Sequence, residues 1–166
     1  MIWPEGIVSP TNIIGWRDFP LRRKLEERFQ GVPVRLHNDA ICMAIAENWK
    51  GAAAGHQNAL GMVVSTGGGG GLIVDGRLLD GGFGSAGHIG HIVIDPAGPA
   101  CRCGGRGCLE AIARGPATVA WAVEEGWTPH TAGAALDGKT LADDARAGDQ
   151  IAIEAFRRAG NAVGVG

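Results

Sequence analysis

Apolar positions recur along the chain with two different periods, and the change from one to the other outlines a mixed architecture. Leu21, Leu25 and Phe29 stand four apart, the spacing of one helix face. Asp18 ahead of them offers an N-cap, Pro20 suits a first turn whose N–H has no helical partner, and Gly31 closes the segment. Residues 1–17 read as irregular. The short run 32–36 predicts a strand near a sheet edge, because Pro33 lacks a donor. After His37-Asn38-Asp39, the alanine-rich stretch 40–50 predicts a helix ended by Gly51. Residues 60–64 suit a buried strand, 72–74 another, and Asp75-Gly76 is a two-residue hairpin signal. Residues 91–94 predict a further strand. Glycine-rich loops over 65–71, 80–90 and 95–107 separate these strands. Beyond Cys108 the pattern turns helical, over 109–114, 116–125, 142–147 and 149–163. Strands early and helices late point to an α/β or α+β class rather than a sandwich.

Composition narrows the function classes. The chain has 166 residues, enough for one domain with a real core or for part of a larger fold. Its 45% apolar and 19% charged residues exclude a disordered or collagen-like polymer. Glycine supplies 29 of 166 positions, against an average of about 7%, without a matching proline excess. That excess predicts tight turns and close backbone approaches, and places function in loops. A net charge of −2 leaves no electrostatic footprint for nucleic acid or an anionic membrane. No basic-then-apolar leader opens the chain, and no apolar run approaches the roughly 18 residues of a membrane span. The reducing cytoplasm is the expected setting, where clustered cysteines hold metal more often than they pair.

Four places carry candidate chemistry. Cys101, Cys103 and Cys108 lie in Cys-Arg-Cys-Gly-Gly-Arg-Gly-Cys, and His91 precedes them by ten residues. Three thiolates and one imidazole make a tetrahedral zinc set; buried thiols or a disulfide are the other reading. Cys42, alone on a helix, reads as a small core residue. Ser65-Thr66 and the glycines Gly67, Gly68 and Gly69 can aim N–H groups and a hydroxyl at a phosphate, or form a wide hairpin loop. No Walker A lysine follows them. Asp39, at a strand-to-helix junction beside Asn38, is either a helix cap or a carboxylate base with a polar neighbour. Glu110 is either an exposed helix residue or a carboxylate fixed near the cysteine loop, and His88 stands three residues from His91.

In this order and spacing, the segments resemble the ROK family of sugar kinases and repressors. Asn38-Asp39-Ala40 through Glu47 is similar to the family's helix segment, and Ser65 to Gly71 with Asp75-Gly76 to its second phosphate motif. Ala86-Gly-His-Ile-Gly-His91 followed by Cys-x-Cys-Gly-x-x-Gly-Cys-x-Glu110 resembles its zinc signature. The likeness runs from about Pro4, through Thr11-Asn12 and Gly15-Trp16, to about Trp127, a single ROK region over 4–127.

The resemblance implies an α/β, actin-like (ribonuclease H-like) ATPase fold, here partial, with a zinc-binding loop. Residues 1–38 would be the end of the N-terminal lobe and 39–166 an incomplete C-terminal lobe. It implies ATP-dependent phosphorylation of a hexose at the 6-hydroxyl, with Asp39 as general base and Asn38, His88, His91 and Glu110 on the sugar. Thr66, Gly67, Gly68 and Gly69 would face the ATP phosphates, with magnesium as co-ion. Zinc would be held by His91, Cys101, Cys103 and Cys108. A homodimer is implied on the same ground. The family's other activity, a sugar-sensing repressor domain, is the alternative.

Two departures stand out. His88 occupies a position where the family pattern has Glu, replacing acceptors with one donor and one acceptor. The Gly-His-Ile-Gly-His form with Val64-Ser65-Thr66-Gly67 resembles bacterial N-acetylmannosamine kinases, which sets that sugar beside glucose. No Asp-x-Gly-x-Thr phosphate motif occurs, so the chain resembles the middle half of a member. By itself it is expected to bind zinc and to turn over slowly or not at all.

Overall fold

The computed structural model describes residues 5–10 and 13–166, so Pro4 and the Thr11-Asn12 part of the resemblance lie outside the described residues. Contacts divide the chain into a first unit, Met1–Ala59 with Gly71–Gly87, and a second, Leu60–Gly70 with His88–Gly166.

In the first unit, the segment read as irregular holds a strand. β1 (Ile7–Val8) pairs antiparallel with β2 (Phe19–Pro20), Ile7 opposite Pro20 and Val8 opposite Phe19. Asp18 is not the cap of the following helix. It sits in the reversal between the two strands at φ +48°, a conformation a short polar side chain tolerates. Its N–H donates to Ser9 Oγ at 2.9 Å, and the Ser9 hydroxyl donates back to Asp18 Oδ1 at 3.3 Å. α1 (Leu21–Arg28) therefore starts at Pro20 with no side-chain cap. Residues 32–36 form no strand: Pro33 removes a donor, and no strand among the described residues pairs with them.

α2 (Asp39–Lys50) begins where the sequence predicts and buries Ala40, Ile41 and Ala44. Cys42 is exposed rather than in the core, because it lies about 200° round the helix from Ala40. The strands β3 (Ala59–Val64), β4 (Gly68–Val74) and β5 (Arg77–Leu78) run in the order β3-β4-β5. Asp75 and Gly76, both at positive φ, turn β4 into β5 with Val74 opposite Arg77, as the hairpin signal predicts. The glycine run, read as a loop, mostly enters β4. Gly71 shows why: a Cβ there would meet the Ala44 Cβ at 2.7 Å and the Ile41 Cα at 3.0 Å. Only a bare backbone lets α2 lie that close. Gly71→Val is expected to lower the unfolding free energy by about 1–3 kcal/mol in urea titrations. Gly82→Ala, where nothing stands within 4 Å, is the silent control.

The second unit is mostly helical: α3 (Leu109–Ala113), α4 (Gly115–Glu124), α5 (Gly138–Arg146) and α6 (Gln150–Val165). α5 starts four residues before the predicted 142, because Asp137 caps it, accepting from Thr140 N at 2.8 Å. Asp149 caps α6 in the same way through Ala152 N at 2.8 Å. The inner face of α6 carries Ala152, Ala155 and Ala162, small residues that bring neighbouring helices close. Trp127 and Leu141 fill the core with Val119 and Ala122. The buried Trp127 indole donates to Asp144 Oδ2 at 3.1 Å, so its polar edge is satisfied inside. A second cluster of Leu109, Ile112, Ala113 and Ala162 fixes α3 immediately after Cys108.

Residues 91–94 are not a strand. Ile89–His91 is one turn of 3-10 helix, and only Val93 bridges to Cys108. Among the described residues, no helix is long and apolar enough to cross a membrane.

Candidate functional site

The cysteine loop folds back on itself through backbone bonds. Ala100 bridges Arg106, Cys101 N donates to Gly105 O at 2.8 Å, and Gly104 N donates to Cys101 O at 3.0 Å. Its ends are tied down: Ile94 N donates to Gly107 O at 2.8 Å and Leu109 N to Ile92 O at 2.9 Å. The result gathers His91, Cys101, Cys103 and Cys108, whose ligand atoms all lie within 4.8 Å of one another. His91 arrives from the end of the 3-10 turn rather than from a strand start.

Distances test whether this set suits a cation. Cys103 Sγ and Cys108 Sγ are 3.7 Å apart, and Cys101 Sγ is 3.7 Å from His91 Nδ1. A disulfide would need about 2.05 Å. A tetrahedron with metal–sulfur bonds of about 2.3 Å has sulfur–sulfur edges of about 3.8 Å, close to the Cys103–Cys108 separation. Burial, with the neighbouring thiols, pushes the Cys108 thiol up to about 12. The Gly105 backbone N–H, together with the flanking thiols, holds Cys103 below the ordinary thiol range. One sulfur that resists ionising beside one that favours it is a donor set that a divalent cation completes, displacing the remaining protons. The residues fit a tetrahedral, sulfur-seeking ion.

The glycine hairpin lies in the same unit. Ser65 N donates to Gly67 O at 2.8 Å and closes the turn that carries the exposed Thr66. Gly67 lies in this turn, whereas Gly68 and Gly69 belong to β4. The Gly68 N–H donates to Glu110 Oε2 at 2.9 Å, so Glu110 is neither free in solvent nor beside the thiols alone. It belongs to the first turn of α3 and meets the start of β4. The 3-10 turn presses on the same spot: a Cβ on Gly90 would come within 2.2 Å of Gly68 O. That contact fixes the turn bearing the exposed His88 and His91. Thr66, Gly67, Gly68, Gly69, His88, His91, Glu110 and the three cysteines thus all belong to one unit.

Asn38 and Asp39 belong to the other unit. Asn38, not Asp39, is the N-cap of α2. Its Oδ1 accepts from Ala40 N at 3.0 Å, and Asp39 Oδ1 shares that donor at 2.9 Å. The Asp39 carboxylate is exposed at the helix start, a position where negative charge is favoured.

Sequence reasoning passed over a cavity of about 700 Å³ in the second unit, beside Ser65 and Thr66. Gly115, Pro116, Asp137, Leu141 and Phe156 help to line it. Gly115 N donates to Ser65 O at 2.8 Å, which sets the start of α4 against the hairpin. The cap signal at Asp137 was the feature in the sequence that leads to this wall.

Several known proteins are similar to this chain. A glucokinase from Halalkalibacterium halodurans is 48% identical over 126 residues, covering 75% of this chain and 38% of that protein. An N-acetylmannosamine kinase from Citrobacter koseri is 39% identical, covering 94% and 51%. The ROK hexokinase structure from Thermus thermophilus superposes with a TM-score of 0.86 at 42% identity, over 99% of this chain and 52% of its own. The Streptomyces griseus ROK family glucokinase, in complex with glucose and AMPPNP, gives 0.76 at 38%, over 91% and 52%. A ROK family transcriptional regulator gives 0.77 at 29%, over 96% and 41%. The chain spans about half the length of most of these proteins. The ROK family profile itself matches residues 4–166, and the chain belongs to the ROK family.

Proposed function

We propose that these residues form part of an ATP-dependent hexose kinase acting on glucose or N-acetylmannosamine. The observation that carries this reading is the packing of the hairpin, the His88–His91 turn, Glu110 and the four-ligand group into one unit. The two kinases and the AMPPNP complex among the relatives support the same reading. The division into lobes at residue 38 remains part of the proposal.

Asp39 accepts the proton of the sugar 6-hydroxyl as that oxygen bonds to the γ-phosphorus of ATP and the bond to the β-phosphate oxygen breaks. Asn38, His88, His91 and Glu110 hold the sugar hydroxyls. Thr66 and the N–H groups of Gly67 to Gly69 face the phosphates, and the cavity beside Thr66 takes the nucleoside. Magnesium, when bound with ATP, supplies charge neutralisation at the phosphates. His91, Cys101, Cys103 and Cys108 would hold a structural zinc ion, whose binding would keep the polar groups of the turn rigid.

Calorimetry on a full-length polypeptide containing these residues tests the reading, with glucose, N-acetylmannosamine and AMPPNP as titrants. Binding of at least one sugar is expected, and His88→Glu is expected to change the preference between the two. Failure of both sugars to bind overturns the proposal; an unmoved preference removes His88 from specificity. The regulator's TM-score of 0.77 favours one second reading, a sugar-sensing domain. Sugar binding without phosphate transfer to the sugar selects it.

A further inference from the structure

One side-chain pair in the first unit has no part in the reading above and adjoins Asn38 and Asp39. The His37 side chain is 10% exposed. Its Nδ1 accepts from the Asn38 backbone N–H at 3.1 Å, and its Nε2 lies 2.5 Å from Asp80 Oδ1. A backbone N–H can only donate, so Nδ1 carries the lone pair and the ring proton sits on Nε2, facing Asp80. The tautomer is therefore set by the two contacts together.

The Asp80 side chain is 41% exposed, and its backbone is tied on both sides. The residue directly follows Leu79, whose N–H donates to Leu72 O on β4 at 2.8 Å, and its own carbonyl accepts from Ala86 N at 3.1 Å. The second bond closes the loop over 80–86, which leads in sequence toward His88. On the other side, the Asn38 N–H belongs to the residue that caps α2. With Nδ1 on Asn38 N, and Asn38 Oδ1 and Asp39 Oδ1 both on Ala40 N, three acceptors pin two donors at the helix start. Rotating the peptide that joins His37 to Asn38 would break the first of these bonds. It would also swing the Asn38 amide and the Asp39 carboxylate that follows.

We propose that His37 is a positioning residue for Asn38 and Asp39, with Asp80 as the anchor that fixes its ring. Neither group touches the reacting atoms. Their role is to hold the base within the narrow range of directions that proton acceptance needs, since a misplacement of about 1 Å can cost about a hundredfold in rate. The inference rests on the reading of Asp39 as the proton acceptor.

The test uses the full-length polypeptide containing these residues, as wild type and as His37→Leu, His37→Gln and Asp80→Asn. The first substitution keeps bulk and removes both contacts. The second restores them, because a glutamine oxygen can accept from Asn38 N–H while its amide donates to Asp80. His37→Leu is expected to lower kcat roughly ten- to hundredfold with the sugar KM within about twofold. His37→Gln is expected to recover most of that loss, and Asp80→Asn to fall between. A kcat unchanged in His37→Leu, or a loss that His37→Gln does not recover, overturns the proposal. Nitrogen-15 spectra give a readout that does not depend on turnover. Wild type is expected to show a bare Nδ1, and the Asn38 amide to shift in His37→Leu and return in His37→Gln. A protonated Nδ1 or an unmoved Asn38 amide overturns the clasp even in an active enzyme. A bare Nδ1 and a responsive amide in a protein that transfers no phosphate uphold the clasp and overturn the kinase reading instead.

Discussion

Removing metal from the chain with a strong zinc chelator at neutral pH is expected to abolish cooperative unfolding of the helical second unit. Structural zinc sites contribute about 10–16 kcal/mol of apparent binding free energy, as much as the roughly 5–15 kcal/mol net stability of a whole domain. Apart from the Val93 bridge to Cys108, the Leu109 N–H on Ile92 O and the packing of Ile94 on the second cluster, the segment from His91 to Cys108 has little else to hold it. Its bonds are mostly turns of the loop on itself, and Val93 and Ile92 are both exposed. Elemental analysis should find one zinc per chain in the untreated protein and close to none in Cys108→Ser, with the thermal transition lowered in parallel. Cys42→Ser, on the exposed face of α2, should keep both metal and transition. Metal uptake should weaken as the pH falls, because the buried Cys108 thiol, pushed up to about 12, must surrender its proton to become a ligand. A metal-free preparation with an unchanged melting curve would refute the assignment.

The second large effect concerns the base. Asp39→Asn in the full-length polypeptide is expected to reduce kcat by about 10²–10⁴, the usual range for a general base, with little change in the sugar KM. Asparagine suits this test because its Oδ1 can still accept from Ala40 N, the bond that Asp39 makes at 2.9 Å. The helix start is thereby preserved and only the proton acceptor is lost. Steady-state kinetics across sugar concentration separate the two parameters. A kcat within about tenfold of wild type would remove Asp39 from the chemistry.

The parts of this architecture legible in the sequence are those whose determinants lie close together along the chain. Three thiols within eight residues, Asp75-Gly76 between two apolar runs, and the alanine-rich stretch after Asn38 each specify local geometry almost alone. The misread segments depend on what they pack against. Residues 32–36 look like a strand, but a ladder needs a partner, and none pairs with them among the described residues. The glycines from Gly68 onward look like a loop, yet β4 needs them bare so that α2 and the 3-10 turn can approach. His91 looks like a strand start, but it ends a 3-10 turn closed by its own N–H on His88 O at 3.1 Å. Asp18 looks like the cap of the nearest helix, but its partner, Ser9, is nine residues back. The contact between Glu110 and Gly68 spans 42 residues, a separation that no local pattern encodes.

The buried Trp127 ring has a practical consequence. It is 2% exposed with its N–H on a carboxylate, whereas Trp49, in the other unit, is 74% exposed. A dry indole emits at shorter wavelength than a wet one, and it reddens only when its surroundings open. The blue edge of the intrinsic fluorescence therefore carries Trp127 of the second unit, with the half-buried Trp16 and Trp121 between it and Trp49.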